Sequence, residues 1–531
     1  MALTESARID FGKVSEGSDI TAPLVRAVAA AAVTGGVVQL PAGDFTIQPS
    51  TARTTVTTQI TAEGHAIVIP NCQNVAIVGA GKHQTRMTML GFGGANLNTT
   101  WQTVSGKVWR GAAFFLAGGA GAGSRTSGIT FRGFTLSGGT SYTGNAIVPA
   151  DTGTGDGWDI THKGIWLQNG AYFGDILIED CELFGFRGEV VYAGASDRGQ
   201  LQKVTGRRLS IHDTNGDCWS VTGAEVLLED CDLYRAAGNG VEDNSFDVPC
   251  TYRGNRVSDI DQHGIWVAPG TLTGPFGRVQ VVGNRVTGCL MDGVLASNPQ
   301  GVDITDNTII DCAPVAPWSG IDVAPLAGYN GPFTVRGARV ERNTVIAATK
   351  DVELAVRAFD EGGAPDTHLV VRDNHCELTA TAAASGKTFT RGYNFDQVTD
   401  PLAILGSNSS RGATYAAADS ASIKEQLLTT TSPTDVAQRL PKQLGNCHVL
   451  VYFRVATAPT DVTITLSWFD VAGVQSQTLV AGSQTVGSHT VTPVVVAAVG
   501  GHESRYVKVT VTAGTASRVY VSAQVAEVAT F

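Results

Sequence analysis

Charge is scarce in this sequence: 16% of its 531 residues are Asp, Glu, Lys or Arg, against about 25% in an ordinary globular chain. The charges it has lean acidic, 37 basic against 48 acidic for a net of −11. Such a chain has no long-range attraction for a phosphate backbone or an anionic bilayer, so neither nucleic acid nor membrane insertion is expected. No apolar run approaches the roughly 18 residues that cross a bilayer; the nearest, Val25 to Val33, is short and alanine-rich. The opening MALTESARIDFGKV lacks the basic stretch and apolar core of a signal peptide. Nine cysteines is an odd number, and the intervals between positions 72, 181, 218, 231, 250, 289, 312, 376 and 447 give neither a CxxC pair nor a small disulfide framework. They read as reduced core residues, and no metal or other cofactor is expected. What is plentiful is glycine, 63 residues, and 43% of the chain is hydrophobic, which excludes disorder.

A short phrase recurs: polar, Asp or Gly, Asn or Cys, polar, aliphatic. It reads EDCEL to Leu183, EDCDL to Leu233, RGNRV to Val257, VGNRV to Val286, TDNTI to Ile309, ERNTV to Val345 and RDNHC to Cys376, with degenerate copies ending at Leu136 and Leu209. Its third residue falls at 134, 181, 207, 231, 255, 284, 307, 343 and 374, so the unit is about 23 to 26 residues with occasional insertions. A second marker follows nine residues later at Gly216, Gly240, Gly264 and Gly293, usually before an aliphatic residue. A fixed offset between two strand phrases places both in one coil. The LxxLxL phrases of leucine-rich repeats are missing, strand positions are β-branched, bends carry Asn and Gly, and helical periodicity ends by residue 34. The fold expected is all-β, a right-handed parallel β-helix. Asn255, Asn284, Asn307, Asn343 and Asn374 should stack at one bend about 4.8 Å apart, as a structural column. Cys181 and Cys231 share that column two coils apart, too far for a disulfide.

Ahead of the solenoid, residues 19 to 36 read as a short helix, with Thr21 as cap, Pro23 in the first turn, Leu24, Val28 and Ala31 on one face and Gly35 as stop. The whole stretch SDITAPLVRAVAAAAVTGGVVQLPAGDFTI resembles the opening of pectate-lyase-like β-helix proteins, where a capping helix precedes the first coil, and phage tailspikes are a large group that begins this way. The resemblance is specific for fold and covers residues 10 to 48 directly; the repeat phrases extend it to about residue 380. The organisation expected is an N-terminal segment with helix and first strand at 1–48, β-helix at 49–405, a small-residue linker at 406–430 and an antiparallel β-sandwich at 431–531. Val462, Ile464, Leu466 and Trp468 alternate there with polar residues. In family terms that last part resembles the modules that trimerise tailspikes or bind carbohydrate.

Function on a solenoid is read in columns of outward residues. The aliphatic residue after each marker glycine must point inward, so the next one points out, giving Trp166, Glu242, Trp266, Leu295 and Asp322. Just before the glycine lie Asn215, Asn239, His263, Asp292 and Ser319. Indoles stack on sugar rings and paired carboxylates cleave glycosidic bonds, so this wall reads as a glycan groove. Five of the eight tryptophans, at 158, 166, 219, 266 and 318, fall between 151 and 330. The catalytic candidates are Glu242 and Asp243, then Asp217, which needs a one-residue slip to face out, then Asp292 and Asp322, with His263 oriented by Asp261. Trp166, Trp219 and Trp266 are the stacking candidates. The plainer alternative is that each indole packs under a loop, each acid caps a bend and His263 bonds a carbonyl. A further outward column, Glu182, Arg208, Asp232, Arg256 and Arg285, reads as a salt-bridge ladder on a solvated face, or as a site in which Arg256 neutralises a uronate.

The resemblance implies a tailspike-like homotrimer that binds a bacterial surface polysaccharide and hydrolyses it, in a virion beside other structural proteins and in the host cytoplasm before assembly. A non-catalytic glycan-binding spike is the first alternative. A secreted bacterial lyase, epimerase or transglycosylating enzyme is the second, although the acidic calcium cluster and Arg motifs of pectate lyases and the Asp-Pro-His pattern of alginate epimerases are missing; the nearest phrase is DQHG at 261–264.

Overall fold

The structure is a computed structural model. It describes residues 8–9, 14–49 and 61–411, with gaps at 92–93, 95–102, 105–106, 142–161, 195–198, 245–247, 269–277, 298, 300, 325–336, 360–368, 398–403 and 407, and then the strands within 426–527. Three sheets of 13, 12 and 13 strands run its length, parallel throughout except for the short strand Thr103–Val104, and successive coils visit them in the order first, second, third. Neighbouring coils pair in register: Ile178 lies beside Gly206 in the first sheet, Leu183 beside Ile211 in the second and Ile165 beside Val191 in the third. Their inward residues make one continuous aliphatic core, from Ile20 to Phe389 among the described residues.

The bend between the first and second sheets explains the repeated phrase. Each coil turns there through one left-handed residue, Gly133, Asp180, Arg208, Asp230, Gly254, Gly283, Asp306, Arg342 or Asp373, with φ between 50° and 70°. Gly and Asp tolerate that conformation. Where the residue is arginine, its guanidinium forks onto the Asp of the preceding bend: Arg208 Nε to Asp180 at 2.7 Å and Arg342 Nε to Asp306 at 2.8 Å. The next residue points inward and forms the Asn column. Each amide Nδ2 donates to the following Oδ1, at 3.0, 3.0, 2.9 and 2.9 Å from Asn255 through Asn374, and Asn374 donates to a sixth member, Asn408, at 3.0 Å. Every Oδ1 from Asn284 onward also accepts the backbone N–H of the preceding asparagine. Asn408 and the strand Ser409–Arg411 belong to a last coil inside the stretch read as linker.

Two readings of register change. Leu209, not Arg207, follows Cys181 in the bend column, since Ser210 N donates to Cys181 O and Leu209 N to Cys231 Sγ. Correspondingly Cys218, not Gly216, matches Gly240: Trp219 pairs with Val241 and Cys218 N donates to Asn239 O. The longer repeats carry their extra residues next to third-sheet strands, before His162 and after Val267, Ala324 and Phe359; among the described residues the Asn bend carries none.

The helix spans Thr21–Thr34 and buries Thr21, Leu24, Ala27, Val28 and Ala31 over the first coil. Thr21 is its first residue rather than its cap; Asp19 Oδ1 accepts the Thr21 N–H at 2.9 Å. Gly35 ends it at φ 77°. On the first sheet an outward column alternates in sign, Arg132, Glu179, Arg207, Glu229, Arg253, with Arg132 to Glu179 at 3.6 Å, Arg207 to Glu229 at 2.6 Å and Arg253 Nε to Glu229 at 2.7 Å. The ladder expected on the second sheet is instead Glu182, Ser210, Asp232, Arg256 and Arg285, because Arg208 sits in the bend. Beyond residue 411 the described strands form two four-stranded antiparallel sheets. No described helix is long and apolar enough to cross a membrane.

Candidate functional site on the third sheet

Register on the third sheet sets two columns side by side. The outward column reads Trp166, Tyr192, Ser220, Glu242, Trp266, Leu295, Asp322 and Arg357. The sequence column is therefore right in direction and lacks Tyr192, Ser220 and Arg357. At the preceding bend, three residues earlier in each coil, stand Lys163, Glu189, Asp217, Asn239, His263, Asp292 and Ser319, all buried. Asp217 takes the place given to Asn215, in the bend column and fully buried. Counting back from the inward aliphatic pair, rather than from Gly216, would have found Lys163, Glu189 and Asp217.

The bend column is held by its own side chains. Asp217 Oδ1 accepts Asn239 N–H at 2.5 Å, Asn239 Oδ1 accepts His263 N–H at 3.1 Å and Asp292 Oδ1 accepts Ser319 N–H at 2.6 Å. The second oxygen of Asp292 faces back to His263 Nδ1 at 3.1 Å, and each Asp interacts electrostatically with the outward carboxyl one coil on. Two related carboxyl pairs result, Asp217 with Glu242 and Asp292 with Asp322.

Their surroundings differ. Burial, then the Glu242 carboxylate, then Glu189, holds the Asp217 carboxyl well above the usual range, and the two carboxyls are close enough to share a hydrogen bond. Asp217 therefore keeps its proton to a higher pH than an isolated Asp would. Glu242 is 9% exposed and accepts from Asn244 Nδ2 at 2.7 Å and from Ser220 Oγ at 3.4 Å. Asp322 has a cation: Arg357 Nε donates to its Oδ1 at 2.9 Å, and burial still pushes its carboxyl up to about 6. His263 Nδ1 lies 3.1 Å from Asp292 Oδ2, at ion-pair distance but short of the alignment of a full hydrogen bond. Its carboxylate partner is thus Asp292, one coil on, and not Asp261. Upstream, Lys163 pairs with Glu189 and sits 3.9 Å from the centre of the Tyr192 ring.

Three candidates stand away from this wall. Asp243 is turned into the solenoid by the strand's period of two, in register with Val267, where it lies beside Tyr252 and helps burial raise that phenol. Trp219 is fully buried in the core, in register with Val191 and Val241. Room for its indole comes from Gly206, whose missing Cβ would stand 2.9 Å from the ring. It is a packing residue, not a sugar platform. Arg256 lies on the second sheet, exposed, 3.7 Å from Asp232. Trp166 and Trp266 do face outward, yet they are only 4% and 7% exposed: Trp166 packs edge-on against Phe115, and Trp266 Nε1 donates to Ser297 at 3.0 Å. Trp318 is half-buried, edge-on to His263 at 5.5 Å. Trp158 and most of 406–430 lie outside the described residues. Among the described residues no three His, Cys, Asp or Glu side chains are grouped to hold a metal ion.

No curated protein matches the chain in sequence. Of solved structures, the A-module of the mannuronan C-5 epimerase AlgE4 of Azotobacter vinelandii is similar at 17% identity, over 77% of this chain and 100% of that one, with a TM-score of 0.44. The Dettilon tailspike protein is similar at 12% identity, over 95% of this chain and 93% of that one, with a TM-score of 0.45. The enzymatically active domain of tailspike protein 2 of bacteriophage CBA120 is similar at 11% identity, over 96% and 76%, with a TM-score of 0.37. Residues 155–289 match the family model described as the right handed beta helix region, and with three parallel sheets wound in register around one core this chain is a right-handed parallel β-helix protein.

Proposed function

We propose that the chain binds a bacterial surface polysaccharide along its third sheet and hydrolyses it, as a homotrimeric tailspike-like protein of a virion. The observation that carries the reading is the Asp217–Glu242 pair. Glycosidic cleavage needs a carboxyl that still holds its proton, and burial and the neighbouring Glu242 carboxyl raise Asp217, in the bend column, directly beside the outward column that carries Glu242. The tailspike-like opening at 10–48 supports the assignment to a spike. A second reading, binding without cleavage, is favoured by the burial of the same groups, Asp217 at 0% and Glu242 at 9% exposure.

Incubation of the protein with purified capsular and O-antigen polysaccharides, followed by reducing-end release, decides between them. Glu242→Gln is expected to abolish release while leaving glycan retention intact, since the amide keeps shape and hydrogen bonding but cannot pass a proton. Wild-type release by Glu242→Gln would remove Glu242 from the chemistry. Binding with no release by the parent would establish the non-catalytic spike, and release accompanied by the ultraviolet absorbance of an unsaturated uronate would establish a lyase. Light scattering should give three times the chain mass of 55.3 kDa; a single-chain mass would refute the trimer.

A further inference from the structure

We infer that His263, steered by Asp292, is the base that activates water in a single-displacement hydrolysis with Glu242 as the acid, so that the released sugar has its anomeric configuration inverted. The inference rests on the hydrolytic reading above. It begins from a distance that the Asp217–Glu242 pair excludes. A double displacement places a nucleophilic carboxylate about 5 to 5.5 Å from the acid, with the sugar between them. Ser220, on the same coil as Asp217, donates to Glu242 at 3.4 Å, so the Glu242 carboxyl lies back over that coil beside Asp217 and leaves no room for a ring between those two carboxyls. Asp217 serves Glu242 as a proton partner and cannot attack the opposite face.

His263 stands in the same bend column as Asp217, two coils further on. Two coils are about 9.6 Å, and because Glu242 reaches back to Asp217, the imidazole and the Glu242 carboxyl are separated by roughly 7 to 10 Å. Inverting pairs stand about 6.5 to 9.5 Å apart, leaving room for a water. The imidazole is fixed from several sides: Asn239 Oδ1 accepts its backbone N–H at 3.1 Å, Asp292 Oδ2 faces Nδ1 at 3.1 Å, and the Trp266 and Trp318 rings lie 5.6 and 5.5 Å away. Besides Asp217 and Glu242, the charged groups on this wall are Asp322 with Arg357 and, upstream, Lys163 with Glu189, each paired with the other. A carboxylate on Nδ1 sets the tautomer that leaves Nε2 free to accept a proton. In the step, the water oxygen bonds to the anomeric carbon as Nε2 takes its proton. The bond from that carbon to the glycosidic oxygen breaks, the electron pair leaves with the oxygen, and that oxygen takes the proton of Glu242.

The test uses the full chain and whichever purified capsular or O-antigen polysaccharide of the panel it cleaves. Proton NMR of the first-formed reducing end is expected to show inversion. His263→Gln and Asp292→Asn should each lower kcat by about 10²- to 10⁴-fold with KM little changed. Azide should restore turnover to His263→Ala as a glycosyl azide of inverted configuration. Asp292→Asn keeps an oxygen for the Ser319 N–H, so the bend is preserved, while its amide should switch the His263 tautomer in ¹⁵N spectra of histidine-labelled protein. Retention of configuration, or an unchanged tautomer in Asp292→Asn, overturns the inference and leaves hydrolysis standing. A parent protein that binds and releases no reducing ends overturns both.

Discussion

Replacing Asn307 by cysteine should destabilise the solenoid more than the same replacement at Asn255, by about the worth of one stranded donor. Asn307 uses all of its amide: Oδ1 accepts Asn284 N at 2.9 Å and Asn284 Nδ2 at 3.0 Å, and Nδ2 donates to Val281 O at 2.8 Å and Asn343 Oδ1 at 2.9 Å. Cysteine fills this column at 181 and 231 and brings no donor or acceptor of comparable strength. Two donors on Asn284 then lose their acceptor in a site that excludes water, and two acceptors lose a donor. Each stranded group costs about 1 to 3 kcal/mol, so with partial relaxation the loss is about 4 to 6 kcal/mol, a large share of an ordinary domain's stability. Asn255 sits at the head of the column, where its Oδ1 accepts only Cys231 N at 3.0 Å. Its loss strands that donor and takes the Nδ2 donor from Leu228 O and Asn284 Oδ1, three partners against four, and should cost about 3 to 4 kcal/mol. Urea unfolding of the parent and both variants, compared at the parent's m-value, measures the difference. Equal costs at the two positions, or a cost at 307 below about 1 kcal/mol, would refute the account of the column as a cooperative ladder.

Acid should unfold the protein partly through His162, whose imidazole burial lowers to about 3. Between its ordinary value of 6.5 and about 3 only the unfolded chain takes up that proton, so stability falls as pH falls, by at most about 5 kcal/mol; His162→Phe should flatten this limb in thermal melts, and an unchanged acid slope would count against it. The opposite sign holds at Asp217, whose raised value means that the folded state keeps a proton the unfolded chain releases. Stability lost there as pH rises should be recovered in Asp217→Asn, which melts higher than the parent at neutral and alkaline pH. Deleting residues 1–48 removes the helix that covers the first coil and should leave an aggregating fragment; a soluble, cooperatively melting product would show the cap to be dispensable.

The solenoid was legible because its bend repeats a chemistry. An αL residue followed by an inward Asn can be recognised five times over, and the inward aliphatic two residues later sets the register of the second sheet. Where that chemistry lapses, the reading slips: Leu209 stands in the column without an amide, so the coil from 207 to 216 was displaced by two residues and Asp217 with it. The outward direction of Glu242, Trp266 and Asp322 followed from the period of two. The inward turn of Asp243 followed from the same rule and was overridden by its acidity. Trp219 could not be read as core without knowing that Gly206 lies across from it, and the pairing of His263 with Asp292 needed the spacing of coils rather than of residues.

The alternation Arg132, Glu179, Arg207, Glu229, Arg253 bears on how the coils find one another. Successive coils present nearly the same interior, an Asn or Cys at the bend and Val, Ile or Leu behind it, so hydrophobic docking alone cannot tell a coil's proper neighbour from the one beyond. Sign can. A segment that skipped one coil would set Arg132 against Arg207, or Glu179 against Glu229, and each such like-charged contact across a ladder opposes docking by roughly 0.2 to 1 kcal/mol. The penalty is small for one contact but recurs at each coil from Arg132 to Arg253, so over that stretch identity is written on the outside of a solenoid whose inside is written in repeats. Removing the alternation, with Glu179→Arg and Glu229→Arg together, would leave the finished fold much of its core while slowing its assembly and sending more chains into aggregates.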